Sequence, residues 1–137
     1  MAVTCFEELI AWQKARVFVR EVYAATRDGD ISRDFAFRDQ MRRATVSIMS
    51  NIAEGVELRS RPQFRKFLCI AKGSCAEVRS LLYAATDIGY LQGEHSDRLL
   101  RQAMEVARII SGLQASIAST RNSELGTRNS STPRTIQ

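Results

Sequence analysis

Residues 41–55 read MRRATVSIMSNIAEG, and the way their hydrophobes fall decides the fold. At about 100° per residue in a helix, Met41, Ala44, Ile48 and Ile52 share one face, while Val46, Met49, Ala53 and Val56 cover the neighbouring one. A third row, Gln40, Ser47, Asn51 and Glu54, is polar and also repeats at helical spacing. The core of one small bundle uses the first face. The other two call for a further contact or a role.

Working outward, the same four-three alternation recurs in three more segments. Phe37 extends the seam of the quoted helix. Upstream, Thr4 with Glu7 makes a capping box ahead of a helix whose seam is Ala11, Ala15, Phe18, Val22 and Ala25. Arg27 to Arg33, with Gly29 between two Asp, reads as a loop, and Ser32 or Asp34 is placed to cap the second helix. Downstream, Ser60 and Gln63 form another capping box with Pro62 in the first turn. The third seam is Phe64, Leu68, Ala71, Cys75, Val78, Leu82 and Ala85. It ends at Gly89, a left-handed stop after which Leu91 folds back. A fourth helix starting near Glu94 or Ser96 carries Leu99, Ala103, Val106, Ile110, Leu113 and Ile117. Four helices on short loops predict an all-α, antiparallel up-down-up-down four-helix bundle over residues 1–120. Residues 121–137 are too poor in hydrophobes to pack and read as a disordered tail.

Composition agrees with one helical domain. The 137 residues are 45% hydrophobic, with 2 Pro and 7 Gly, which suits helices better than a turn-rich β architecture. Of the net charge of +5, the segment after Thr120 contributes +2 through Arg121, Arg128 and Arg134 against Glu124, leaving +3 on the bundle. Lys14, Lys66 and Lys72 are the only lysines among 20 basic residues. Arginine forks onto phosphates and stacks on rings, which suits RNA or protein interfaces; a genome of high GC content produces the same bias. Cys5, Cys69 and Cys75 match no zinc or redox spacing and read as reduced thiols. The N-terminus lacks a signal-peptide pattern, and no apolar run approaches the roughly 20 residues that span a bilayer. A cytoplasmic protein without a membrane role is expected.

Chemistry-bearing motifs are scarce. His95 is the single histidine and lies in a polar stretch, so neither a nucleophilic triad nor the paired Glu-x-x-His of a di-iron bundle can be assembled. Phosphate-cradling glycine loops of the GxGxxG or GxxxxGK[ST] type are missing. Glu54, Glu57 and Glu77 have no metal-ligand spacing. The expectation is a non-enzyme with no catalytic residue, cofactor or metal.

Three surfaces remain. Trp12, Val19 and Tyr23 stand beside the seam of the first helix as Val46, Met49, Ala53 and Val56 do on the second. Helices apolar over so wide an arc are usually buried on two sides, so these seven residues form the candidate contact between subunits, the alternative being a snug single-bundle core with wide helical contact. On the third helix Arg65, Lys72 and Arg79 recur every seven residues, and Tyr83 continues the row. Such a stripe can track phosphates while the ring stacks on a base, or it is a solvated basic face. Arg38 and Arg42 add a smaller basic pair on the second helix, where Asp39 is placed to pair with Arg43. Ser47, Asn51 and Glu54 read as structural polar groups that fix register against neighbouring helix ends or loops, with ligand binding as the alternative.

FEELIAWQKA, MRRATVSIMSNIAEG and RPQFRKFLCIAKGSCAEVRSLLYAATDIGYL together resemble the 23S rRNA-intervening-sequence protein family, relatives of the accessory variability determinants of diversity-generating retroelements. The pattern runs over residues 6 to 117. Its specific parts are Trp12 and Gln13, Arg42 and Arg43, Ser47, Asn51 to Gly55, Phe64, Phe67, Gly73 and Ser74, Glu77, and Gly89 with Tyr90. The resemblance implies a four-helix protomer that assembles into a ring, typically a homopentamer. It also implies an association with RNA, DNA or a protein partner, and no established catalytic residue. Met49 stands where many relatives carry proline, and Lys72 where an apolar residue often precedes Gly-Ser.

Overall fold

The computed structural model describes residues 5–128 and the side chains of residues 5–118. Four α-helices carry the chain: α1 Ile10–Ala25, α2 Phe35–Glu57, α3 Arg61–Ile88 and α4 Gly93–Arg128. The described residues contain no strand. None of their helices is long and apolar enough to cross a membrane.

Most helix ends form where local chemistry places them. The Asp34 side chain accepts from the Phe37 amide at 3.2 Å and caps α2. Ser60 accepts from the Gln63 amide to cap α3, with Pro62 in the first turn. Gly89, at φ 92°, adopts the left-handed conformation that stops α3, and the amides of Gly89 and Tyr90 both return to the Ala85 carbonyl. Leu91 is buried against the core.

Two ends differ from expectation. Thr4, half of the expected first capping box, lies outside the described residues. Glu7 belongs instead to a 3-10 turn, Phe6–Glu8, and α1 begins at Ile10 without a side-chain cap. Gln13 ties that turn to the helix, its Nε2 donating to the Glu7 carbonyl at 2.8 Å. Between α2 and α3 the chain passes through Arg59, which holds φ 55°, a conformation that commonly selects glycine. At the far end, the α4 backbone stays helical through residues 121–128, since i to i−4 hydrogen bonds need no partner surface. The rest of the expected tail, 129–137, lies outside the described residues.

The four seams meet in one core. Phe18, Met41, Ile48, Ile52, Leu68, Leu82, Leu99 and Ile110 are all completely buried, each contributing about 1.5–3 kcal/mol through removal from water. That burial, more than intrinsic propensity, holds helices of this length. In chain order each helix packs on the next, and α4 also packs on α1, closing the four-helix bundle. Lys14 with Glu105 at 3.8 Å and Arg98 with Glu21 at 3.5 Å add ion pairs across the α1–α4 seam. Being solvent-exposed, such pairs add about 1 kcal/mol at most.

Candidate nucleic-acid interface

α3 has two flanks beside its buried seam. Cys69 accepts a hydrogen bond from Gln114, and Thr86 shares one with Ser96, so the flank bearing Cys69 and Thr86 faces α4. Glu77 and Ser74 bond instead to Gln40 and Ser47, so the other flank faces α2. Arg65, Lys72, Arg79 and Tyr83 fall on the α4 side by helical spacing. The positions along that flank are Arg65, Cys69, Lys72, Ala76, Arg79 and Tyr83, and Asp87, one turn further on, places an acid at its end. Arg65 and Lys72 are exposed, neither joins an ion pair among the described residues, and the Tyr83 ring is 58% exposed. Arg79 differs: it is half-buried, and its Nε has no hydrogen-bond partner among the described residues.

Arg38 and Arg42, expected to add to the basic surface, are held within the protomer on a different side. Arg42 lies over the Tyr23 ring at 4.3 Å and donates from Nε to Thr26 Oγ1 at 2.8 Å. Thr26, fully buried, passes its own proton to the Val22 carbonyl at 2.9 Å. Arg42 is therefore a clasp between α2 and the end of α1. Arg38 donates to the Ser32 carbonyl at 3.1 Å, pairs with Asp39 at 3.0 Å and covers Phe35. Asp39 thus serves the adjacent Arg38 and not Arg43. Arg38 thus spends its guanidinium on Asp39 and Ser32, while Arg42 commits its Nε and one ring face and keeps its terminal nitrogens.

The polar row of α2 divides. Asn51 Nδ2 donates to the Ser47 carbonyl at 2.8 Å and to Ser47 Oγ at 2.9 Å, and the Ser47 and Ser74 hydroxyls meet at 2.9 Å. The network links α2 to α3 across mid-helix, not to a helix end or loop as expected. Ser74 completes it, a partner that α2 alone could not indicate. Glu54 points to solvent and joins none of it.

Of the outer apolar rows, Val19, Val46 and Ala53 are half-buried, Trp12 and Met49 also pack on the core, and Tyr23 is more exposed. Trp12 is pinned edge-on by Phe6 at 5.1 Å. Val56 is a correction. It is buried within its own protomer, because the last turns of α2 bring it round to the core. Among the described residues no group of three or more His, Cys, Asp or Glu is arranged to hold a metal ion.

These features define a small four-helix-bundle protein with one cationic helix flank. Residues 7–112 match the family model for the 23S rRNA-intervening sequence protein, and the chain belongs to that family. A crystal structure from Bacteroides thetaiotaomicron, described as a protein with unknown function from the S23 ribosomal protein family, superposes with a TM-score of 0.71 at 21% identity. The alignment covers 77% of this chain and 96% of that one, and at that identity it speaks to fold. No curated protein matches the chain.

Proposed function

We propose that this chain is a non-enzymatic cytoplasmic scaffold that binds structured nucleic acid, RNA or DNA, or a nucleoprotein partner. Its protomers are antiparallel up-down-up-down bundles assembled into a ring, typically a homopentamer. The observation that carries the binding reading is the α3 flank: two exposed, unpaired cations and a half-buried arginine in line with an exposed tyrosine. The contacts Gln40 to Glu77, Ser47 to Ser74 and Gly55 to Phe64 descend α3 as they ascend α2, which favours the antiparallel order. The half-buried rows on α1 and α2 supply apolar surface for a second copy.

Binding of this kind is salt-dependent. Charge reversal at Arg65, Lys72 and Arg79 together abolishes retention of rRNA fragments at low salt while leaving the helical signal intact. If the unaltered protein retains neither rRNA fragments nor mixed nucleic acids at low salt, the reading fails. A second reading, an oligomeric adaptor that binds only protein, is favoured by Phe35, Leu58 and Ile88, all at least half exposed. A partner that survives nuclease treatment of the extract would mark that reading as the better one.

A further inference from the structure

We infer that the α3 flank is built for a single-stranded segment of nucleic acid rather than for a duplex. This rests on reading that flank as a nucleic-acid surface. Three features of the stripe separate the two ligands.

The first is its straightness. Arg65, Lys72 and Arg79 are seven residues apart, so the cations recur about every 10.5 Å along one line of the helix, and Tyr83 lies about 27 Å from Arg65. A duplex winds its backbones about its axis, and a helix seated in a groove meets phosphates on both of its sides. Cations would then be needed on two flanks of α3, whereas on the opposite flank the one cation, Lys66, shares its row with the acid Glu77, which Gln40 engages. A single strand can follow a line.

The second is the ring. Tyr83 is 58% exposed, continues the line of cations and has no hydrogen-bond partner among the described residues. Inside a duplex every base face is already stacked. A single strand presents free faces to such a ring, and stacking of this sort tolerates any base.

The third is Arg79. With its stem packed and its Nε buried without a hydrogen bond, its charge is less screened than one in open water, and little side-chain freedom is lost when an anion arrives. It sits one turn from Tyr83, so phosphate and base of neighbouring nucleotides meet a cation and a ring side by side. At about 3.4 Å per stacked nucleotide, the distance from Arg65 to Tyr83 accommodates roughly eight nucleotides.

The test is fluorescence anisotropy with a labelled 12-nucleotide oligouridylate and a 12-base-pair RNA duplex, over a range of salt. The single strand is expected to bind at least tenfold more tightly. Tyr83→Ala should weaken it about tenfold and Tyr83→Phe should retain it. Lys72→Ala should lower the slope of log affinity against log salt by about 0.7. Tyr83 and Lys72 are exposed, and matching thermal melts confirm that each variant is folded. Equal or tighter binding of the duplex, or an unaffected Tyr83→Ala, overturns the single-strand inference and leaves the nucleic-acid reading standing. Failure of both ligands at low salt overturns the single-strand inference, and failure of rRNA fragments and mixed nucleic acids as well overturns the nucleic-acid reading.

Discussion

A Cβ placed on Gly55 would lie 3.0 Å from Cδ1 of Phe64 and 3.0 Å from Cβ of Phe67. The absence of a side chain therefore sets how closely α2 and α3 approach beside the loop that joins them. Gly112, inside α4, has nothing within 4 Å of the same position. The same substitution should act with opposite signs at the two sites. In an open helix interior, glycine to alanine gains about 1 kcal/mol, and Gly112→Ala should raise the urea midpoint accordingly. Overpacking costs about 1–3 kcal/mol. Gly55→Ala should therefore lower the midpoint despite its better helix propensity. Equal gains at both sites would show that α2 and α3 can part without cost.

The Arg42 clasp is expected to be a stability element. Arg42→Lys keeps the charge but loses the planar stack on Tyr23 and the bond to Thr26, and should cost about 1–2 kcal/mol. A double-mutant cycle with Tyr23→Leu isolates the ring contact, for which a coupling of about 0.5–1 kcal/mol is expected at a half-exposed site. Zero coupling in chemical denaturation would reduce the stack to mere proximity.

How much of this was legible beforehand depended on whether a residue's partner lies nearby in sequence. The seams were, because Phe18, Ile48, Leu82 and Ile110 need only helical periodicity to announce a buried face. The caps at Asp34 and Ser60 and the stop at Gly89 were legible too, being satisfied within four residues. The fate of Arg42 was not, since its acceptor, Thr26, is 16 positions away just past the end of α1. Ser74 stood out as part of the family pattern, but its role did not, because its partner is 27 residues distant. Arg59 gave no signal either, because it occupies a conformation that normally advertises itself with glycine. Within the basic stripe, spacing revealed the line of cations but not the half-burial of Arg79, which depends on how α4 lies against α3.

Tyr90 should make the fold sensitive to alkali. Its hydroxyl donates to Asp34 Oδ2 at 2.7 Å, and that bond, followed by desolvation and by the negative charge of Asp34, raises its pKa above the ordinary value near 10. The protonated phenol is the form the fold prefers. Its contribution is complete below the unfolded pKa and is lost as pH rises through the higher folded value. The melting temperature of the wild type should therefore fall more between pH 9 and about pH 11 than that of Tyr90→Phe, which lacks the ionisable group. Parallel pH profiles for the two proteins would remove Tyr90 from the account.

The cysteines should report folding by their reactivity. Burial pushes the Cys75 thiol up to about 11, partly offset by the nearby charge of Arg79, whereas Cys69 is exposed. Because the thiolate is the reactive species, a thiol-specific reagent at about pH 8 should label Cys69 within the fold and Cys75 only on unfolding. The sign for stability follows: Cys75 favours the fold below the ordinary thiol range, and the advantage disappears as pH rises through about 11. Mass spectrometry of peptides after a short pulse separates the two sites. Equal labelling rates would mean that the α3 seam opens at that position.

Ala53 and Val56 lie less than one turn apart on α2, yet they should respond differently to the same insult. Ala53 is half-buried on the outer row, and Val56 is buried in the protomer core. Ala53→Arg places a charge where a second subunit is proposed to pack, and an unpaired charge at a desolvated contact is strongly unfavourable. The expected product is a folded protomer whose light-scattering mass falls to that of one chain. Val56→Arg instead forces a guanidinium into the bundle itself, and the expected product has lost its cooperative thermal transition. If the unaltered protein already has the mass of a single chain at micromolar concentration, the outer rows serve some contact other than self-assembly. If Ala53→Arg unfolds as Val56→Arg does, the surface at Ala53 belongs to the protomer core and no second apolar face exists on α2.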